Sequence, residues 1–222
     1  MEKKYKLTKE TINVFNKTLY RIEALRDFND VEKGDKGGFI EDEKNLSQDG
    51  NCWVYGNAKV YGNAKVFGNA EVYDNAKVYG NAVVYGNAEV YDNAKVYGNA
   101  VVYGNAEIFD DAKIYDDAKI YGLAWVYRNA EVCGSAEVCG DARICADAKV
   151  ESNGDYIVFK NWWSSGRYFT WTKSNDMWKV GCFYGTGKEL IDKAYRDSEI
   201  SGREYERIVK YVETINNDLE IM

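Results

Sequence analysis

Proline and histidine are both missing from the 222 residues of this chain. An average sequence of this length carries about ten prolines, so the turns here must be made by other residues. The absence of histidine removes the commonest general base and the commonest metal ligand. No apolar run approaches the ~18 residues that a membrane span needs, and the opening MEKKYKLTKE has no apolar signal-like core. The expectation is a soluble, cytoplasmic protein that does not engage the membrane. The five cysteines, an odd number, read as reduced thiols rather than a disulfide framework. Basic charge is also in deficit: the net −7 argues against binding to duplex DNA, which rewards basic surfaces.

What the chain has instead is repetition. From Val54 to Val150 every sixth residue is Val or Ile, and from Ala58 to Ala148 every sixth is Ala. The local pattern A-x-V-Y alternates, so Ala and Val point to one side of a short strand while x and Tyr point to the other. The Gly-Asn, Asp-Asn or Asp-Asp pair that follows is turn chemistry, because these residues tolerate left-handed backbone conformations at little cost. Each hexamer is therefore one short strand and one corner, and hexamers must stack to bury their apolar side.

A second period sets the stacking rule. EVYDNAKVYGNAVVYGNA at 71–88 returns unchanged at 89–106. Sorting the outward residue before each Val or Ile by threes gives three sets. The first is Trp53, Glu71, Glu89, Glu107, Trp125 and Arg143; the second is Lys59, Lys77, Lys95, Lys113, Glu131 and Lys149; the third is Lys65, Val83, Val101, Lys119 and Glu137. The sorting predicts three strands per 18-residue coil, a triangular prism with a distinct chemistry on each face.

The unbroken [V/I]-x-x-x-A-x tandem over 53–151 resembles the hexapeptide repeat of left-handed parallel β-helices. About 5.5 coils fit that span. The left hand is implied by the resemblance; ordinary crossover rules favour the right. Many proteins of this kind are trimeric acyltransferases that use a histidine base on the helix, and this chain has no histidine and no long loop inserted at a corner.

The expected organisation is an N-terminal β cap at 1–50, the β-helix at 51–151 and a C-terminal α+β domain at 152–222. In the cap, TINVFNKTLYRIEAL offers a hairpin around Asn16-Lys17, and Ile40 and Leu46, six apart, suit an irregular first coil. Gly34, Gly37 and Gly38 suit a tight entry turn, with a phosphate-cradling loop as the alternative. After Val150 the sequence predicts two or three antiparallel strands and then two helices. Each helix opens on a capping box, Thr186-x-x-Glu189 and Ser201-x-x-Glu204, and Tyr205, Ile208, Val209, Val212 and Ile215 form the apolar stripe of the second. GGFI…NLSQDGNCWV, the GNA array and GRYFTWT…MWKVGCFYGTGKEL together resemble uncharacterised proteins encoded by phages and prophages of gut bacteria and clostridia. That resemblance implies a phage setting and supplies no catalytic residue.

Candidate sites follow from the outward positions. Cys133, Cys139 and Cys145 replace the aromatic of thirteen earlier hexamers. They fall on successive faces, too far apart to share one metal ion, and read as small residues where the coil is covered. Gly185-Thr186-Gly187-Lys188 lacks the phosphate-loop spacing and reads as a helix start. On the third face, outward Val83 and Val101 lie among Phe67, Tyr85, Tyr103 and Tyr121, an apolar patch of the kind a partner covers. This patch is expected to join copies of the chain as a dimer or trimer. In the last domain, Trp162, Trp163, Arg167, Tyr168, Trp171, Lys173 and Trp178 are candidates for a ligand or partner surface, such as one that stacks a base, with core packing as the alternative for the aromatics.

No catalytic, cofactor-binding or metal-ligating residue is identified. The expected function is that of a non-catalytic, oligomeric binding protein or scaffold of phage type, one that inhibits or sequesters a host defence protein or a nucleotide signal. A virion-associated scaffold and an acyltransferase without the usual histidine are the alternatives.

Overall fold

A computed structural model describes the backbone of residues 3–221 and the side chains of residues 3–217. The chain divides into two compact units, Met1–Asp155 and Tyr156–Met222.

The first unit opens with β1 (Tyr5–Val14) and β2 (Lys17–Ala24), an antiparallel hairpin. Its two-residue turn is Phe15-Asn16, one position earlier than expected. Both residues have positive φ, 47° and 63°, which is the backbone that matches the twist of the flanking strands. β3 (Lys36–Ile40) pairs antiparallel with β2 and then changes role. Ile40 lies in parallel register with Val60, and Leu46 bridges Val66, so these residues do form the irregular first coil.

Two-residue strands then recur every six residues, from β4 (Trp53–Val54) to β20 (Lys149–Val150). They stack in parallel into three sheets of nine, six and five strands, the nine including β1–β3. The levels make a solenoid of about six turns, slightly longer than the 5.5 coils of the repeat because the cap supplies the start. Residues 18 apart are in register, as in Lys77 against Lys95 and Val83 against Val101. The backbone closes each level on the next: Tyr79 N donates to Val96 O at 3.0 Å and Lys77 N to Ala94 O at 2.9 Å. Every inward Val and Ile from Val54 to Val150, and every inward Ala from Ala58 to Ala148, is buried, most at 0% exposure. The interior is thus a stack of β-branched and methyl side chains, each Val or Ile contributing ~1.5–3 kcal/mol on burial.

The corners show why some hexamers carry Gly and others Asp. All have left-handed φ, 74° at Gly80 and 57° at Asp74. A Cβ at Gly86 would lie 3.0 Å from the backbone of Gly104, so that corner admits only glycine without adjustment. At the corner of Gly56 the same atom would meet Asp74 O at 3.7 Å, an ordinary contact. Asp74, Asp92 and Asp110 use that room. Asp92 Oδ2 accepts the N–H of Asp110, and Asp110 Oδ2 that of Arg128. At the other corners asparagines form ladders, Asn63 to Asn81 to Asn99 and Asn69 to Asn87 to Asn105, with amide contacts of 2.9–3.1 Å.

The open start of the solenoid is plugged by the cap. Trp53 packs edge-on against Tyr5 and Phe28, and the Tyr5 hydroxyl donates to Leu46 O at 2.7 Å. Lys4 is fully buried; its Nζ donates to Cys52 O at 2.8 Å and approaches Cys52 Sγ at 3.3 Å. Burial lowers the Lys4 pKa and raises that of the Cys52 thiol.

The second unit is a meander, β21 (Tyr156–Lys160), β22 (Tyr168–Thr172), β23 (Met177–Val180) and β24 (Phe183–Gly185), followed by α1 (Gly187–Asp197) and α2 (Glu199–Ile221). The fourth strand corrects the expected two or three. Thr186 caps α1 through the expected box, its Oγ1 accepting from Glu189 N. The second box is displaced: α2 begins before Ser201, and it is Ser198 Oγ that accepts the Ser201 N–H. Phe169, Trp171 and Trp178 of the sheet pack with Leu190, Ala194, Tyr205, Val209 and Val212 of the helices as one core. No helix among the described residues is long and apolar enough to cross a membrane.

Candidate functional site

The 18-residue period places the outward residues on three sheets whose chemistry differs. On the six-stranded sheet Glu71, Glu89 and Glu107 stack in register. Each ring of the aromatic slot lies beside the outward residue sixteen positions on. Tyr73 therefore donates its hydroxyl to Glu89 at 2.8 Å, and Tyr91 to Glu107 at 3.2 Å. Glu71 has its carboxyl raised by burial first, then by the negative charges of Asp30 and Glu89. On the nine-stranded sheet Lys59, Lys77, Lys95 and Lys113 stack in the same way. Burial first, and then Lys77, lowers the Lys59 ammonium.

The third, five-stranded sheet carries Lys65, Val83, Val101, Lys119 and Glu137 on its outside. Its rings form a continuous ladder. Phe67 and Tyr85 stack at 4.9 Å, Tyr85 and Tyr103 at 5.0 Å, Tyr103 and Tyr121 at 4.9 Å, all within about eleven degrees of parallel. Such pairs add ~0.5–1.5 kcal/mol each. Sixteen residues on from Tyr85 stands Val101, where the acidic face has a glutamate, so the Tyr85 hydroxyl has no such acceptor. Only at the far end does the pattern resume, with Tyr121 donating to Glu137 at 3.4 Å and Lys119 pairing with Glu137 at 2.8 Å. Phe67 is 38% exposed, and Val83 and Val101 are half-buried by their neighbours.

Leu123 enlarges this patch and was missed in the sequence. It takes the place of the corner asparagine beside Tyr121, is 54% exposed, and ends the Asn69–Asn87–Asn105 ladder. The break of G-N to G-L was the available signal. Phe67, Val83, Tyr85, Val101, Tyr103, Tyr121 and Leu123 thus share one face and the corner that bounds it.

The C-terminal candidates separate. Trp171 and Trp178 are 3% and 1% exposed and belong to the core, so they present nothing to a ligand; the helices cover the side of β22 and β23 from which they project. Trp163 is half-buried and packs edge-on against Tyr205 at 5.1 Å. Its indole N–H is buried without a hydrogen-bond partner among the described residues. Trp162 is 76% exposed, and Arg167, Tyr168 and Lys173 are exposed as well. Lys160 Nζ lies 5.4 Å from the Tyr168 ring. Thr170, two residues on from Tyr168 in the same strand, is buried.

Cys133, Cys139 and Cys145 occupy the slot as expected, each one coil on from a tyrosine, and none of the five cysteines is in a disulfide. The thiol of Cys133 first, and burial second, raise the Tyr115 hydroxyl. No group of three His, Cys, Asp or Glu able to hold a metal occurs among the described residues. A shallow hollow of about 340 Å³ at the cap end is lined by Asp30, Tyr55, Gly56, Glu71, Tyr73 and Asp74. There the Tyr55 hydroxyl donates to Asp30 at 2.8 Å. Asp30 comes from the irregular cap segment, outside any repeat, which is why the period gave no sign of it.

No family model matches the chain. A stretch of 40 residues is 52% identical to part of a protein of Escherichia coli (strain K12) called "uncharacterized acetyltransferase YdcK". The match covers 18% of this chain and 12% of that protein. With the stacked strands recurring every six residues, it supports reading the solenoid as a hexapeptide-repeat β-helix.

Proposed function

We propose that the protein is a non-catalytic binding scaffold whose third sheet face joins it to a second copy of itself. The observation that carries this reading is the unfurnished middle of that face, where Val83 and Val101 stand outward beside the Phe67–Tyr121 ring ladder. The aromatic and apolar surface there is what self-association would remove from water, at about 25 cal/mol per Å². Charge favours a like copy as the occupant. The third face lies between a face of stacked glutamates and a face of stacked lysines. Two copies packed face to face with coils running the same way set the acidic edge of one against the basic edge of the other, and a trimer uses the same complementarity.

The test is sedimentation mass. Wild-type protein is expected to run as a dimer or trimer, and Val83→Lys/Val101→Lys as a monomer with unchanged circular dichroism. A wild-type monomer, or an oligomer indifferent to both lysines, overturns the proposal. The phage-type resemblance extends the reading to sequestration of a host factor, tested by co-purification from infected cells. The short match to a named acetyltransferase supports acyl transfer as a second reading, and calorimetry with acetyl-CoA decides it: saturable binding supports that reading and no heat removes it.

A further inference from the structure

The second unit contains a cleft that no part of the scaffold reading uses. The segment after β21 is closed on itself: Asn161 N donates to Arg167 O at 2.8 Å, and Asn161 Oδ1 accepts from Ser164 N at 3.0 Å. Asn161 is 4% exposed, and its Nδ2 donates to the Tyr205 hydroxyl at 3.0 Å, which ties this loop to α2. The loop then faces the last turns of α1 and the first turn of α2 across a cleft of about 230 Å³. Its polar walls are Ser164, Ser165, Arg167, Lys193, Asp197 and Ser201; Val180, Phe183, Leu190 and Ala194 supply apolar surface.

Three properties point to one ligand chemistry. In a chain of net charge −7, two cations line the same cleft, and among the described residues neither Arg167 nor Lys193 has a carboxylate within ion-pair distance. With Asp197 the cleft keeps a charge of +1 (two cations less one carboxylate). Arg167 is placed against the β23–β24 turn: a Cβ on Gly181 would stand 3.1 Å from its Nη1, so the glycine leaves the guanidinium its room. Second, Tyr205 is 7% exposed and lines the cleft. Its oxygen accepts from Asn161, which leaves its own proton to donate, and burial raises its pKa so that the proton stays on. Third, three serines line the cleft, Ser201 from the positive end of the 23-residue helix α2.

We propose that this cleft binds the phosphoryl group of a small phosphate ester. Arg167 and Lys193 take the charge, the hydroxyls of Ser164, Ser165, Ser201 and Tyr205 donate to the phosphoryl oxygens, and Asp197 accepts a hydroxyl of the ester. These donors outnumber what the two oxygens of a carboxylate use well, and they suit a three-oxygen group. The volume lies below the ~300–1,000 Å³ of pockets that enclose a drug-sized ligand, so only the phosphoryl end and a few attached atoms enter. The site is independent of the third face of the solenoid.

The experiment is titration calorimetry of the full chain at fixed ionic strength with glycerol 3-phosphate, inorganic phosphate and acetate. Glycerol 3-phosphate is expected to bind saturably, with inorganic phosphate weaker and acetate weaker still. Arg167→Gln or Lys193→Gln, both exposed positions, lowers affinity about tenfold each, as expected for a charge-assisted bond. Tyr205→Phe, which keeps the ring in the core, lowers it by a smaller factor with the melting curve retained. No saturable heat with either phosphate overturns the proposal. So does binding that survives Arg167→Gln/Lys193→Gln undiminished, or acetate binding as tightly as phosphate, which would make the site one for carboxylates.

Discussion

Replacing Val78 by Asp tests the inward assignment on which the whole solenoid depends. Val78 is 0% exposed and stacks between Val60 and Val96 in the nine-stranded sheet. Removing its burial loses ~1.5–3 kcal/mol. A carboxyl group in that methyl-lined interior finds no hydrogen-bond partner, which costs a further ~1–3 kcal/mol even when protonated. The sum, about 2.5–6 kcal/mol, is comparable with the ~5–15 kcal/mol that stabilises a typical domain. Val78→Ala, which removes the two γ-methyls and leaves a small void, should cost about 2 kcal/mol. The neighbouring Lys77 provides the control. It points outward between Lys59 and Lys95, so Lys77→Asp relieves like-charge contact and should be neutral or slightly stabilising. Urea unfolding followed by circular dichroism measures all three. Each coil contacts only its neighbours, so the Asp variant should also unfold less cooperatively as the break uncouples the levels on either side. A Val78→Asp midpoint equal to wild type, or a Lys77→Asp loss as large, would refute the alternation.

Two further outcomes follow from the corners and the ring ladders. Gly86→Ala should cost more than Gly140→Ala. Both have left-handed φ, worth about 1 kcal/mol for a non-glycine residue, but only at Gly86 would the new methyl carbon meet backbone at 3.0 Å, while at Gly140 nothing lies within 4 Å. Thermal melts of the two variants decide it, and equal losses would contradict the corner geometry. Alkali should unfold the protein steeply. Burial pushes Tyr61 up to about 12 and raises Tyr79 and Tyr97, and burial with a glutamate acceptor raises Tyr73 and Tyr91. A folded pKa above the unfolded value near 10 means stability is complete below pH ~10 and is lost as pH rises through the folded values. Tyrosinate absorbance should lag the model-compound curve and then rise together with unfolding; free titration near pH 10 in folded protein would contradict the ladders.

How much was legible in the sequence depended on how locally each element is specified. The six-residue repeat and the 18-residue face map needed only the alternation of Val78 with Lys77 and the return of Glu71 as Glu89, and both registers are seen. The Tyr–Glu hydrogen bonds followed from the same period and were overlooked, because sixteen is visible only once the coils are stacked. Element ends were less legible. Ser198 and Ser201 both carry cap chemistry, and the structure uses Ser198 because α2 follows α1 directly. β24 is only three residues long and ends in glycine, too short to show a period. In the second unit, alternation separated the faces of β22 but not which one the helices would cover, so Trp171 and Trp178 appeared as candidates beside Arg167. The cleft was out of reach: Arg167, Lys193 and Tyr205 are remote in sequence and meet only through the Asn161–Tyr205 bond and the packing of the helices.

The central claim, that the third face meets its counterpart in another copy, is tested most directly by trapping it covalently. A cysteine at Val101, in a Cys182→Ser background that removes the one exposed native thiol, should form an intermolecular disulfide on mild oxidation. Cysteine at Lys95, on the basic face at the preceding strand, should not. Rapid, near-complete trapping at 101 alone is the predicted result; equal or absent trapping at the two positions would contradict it.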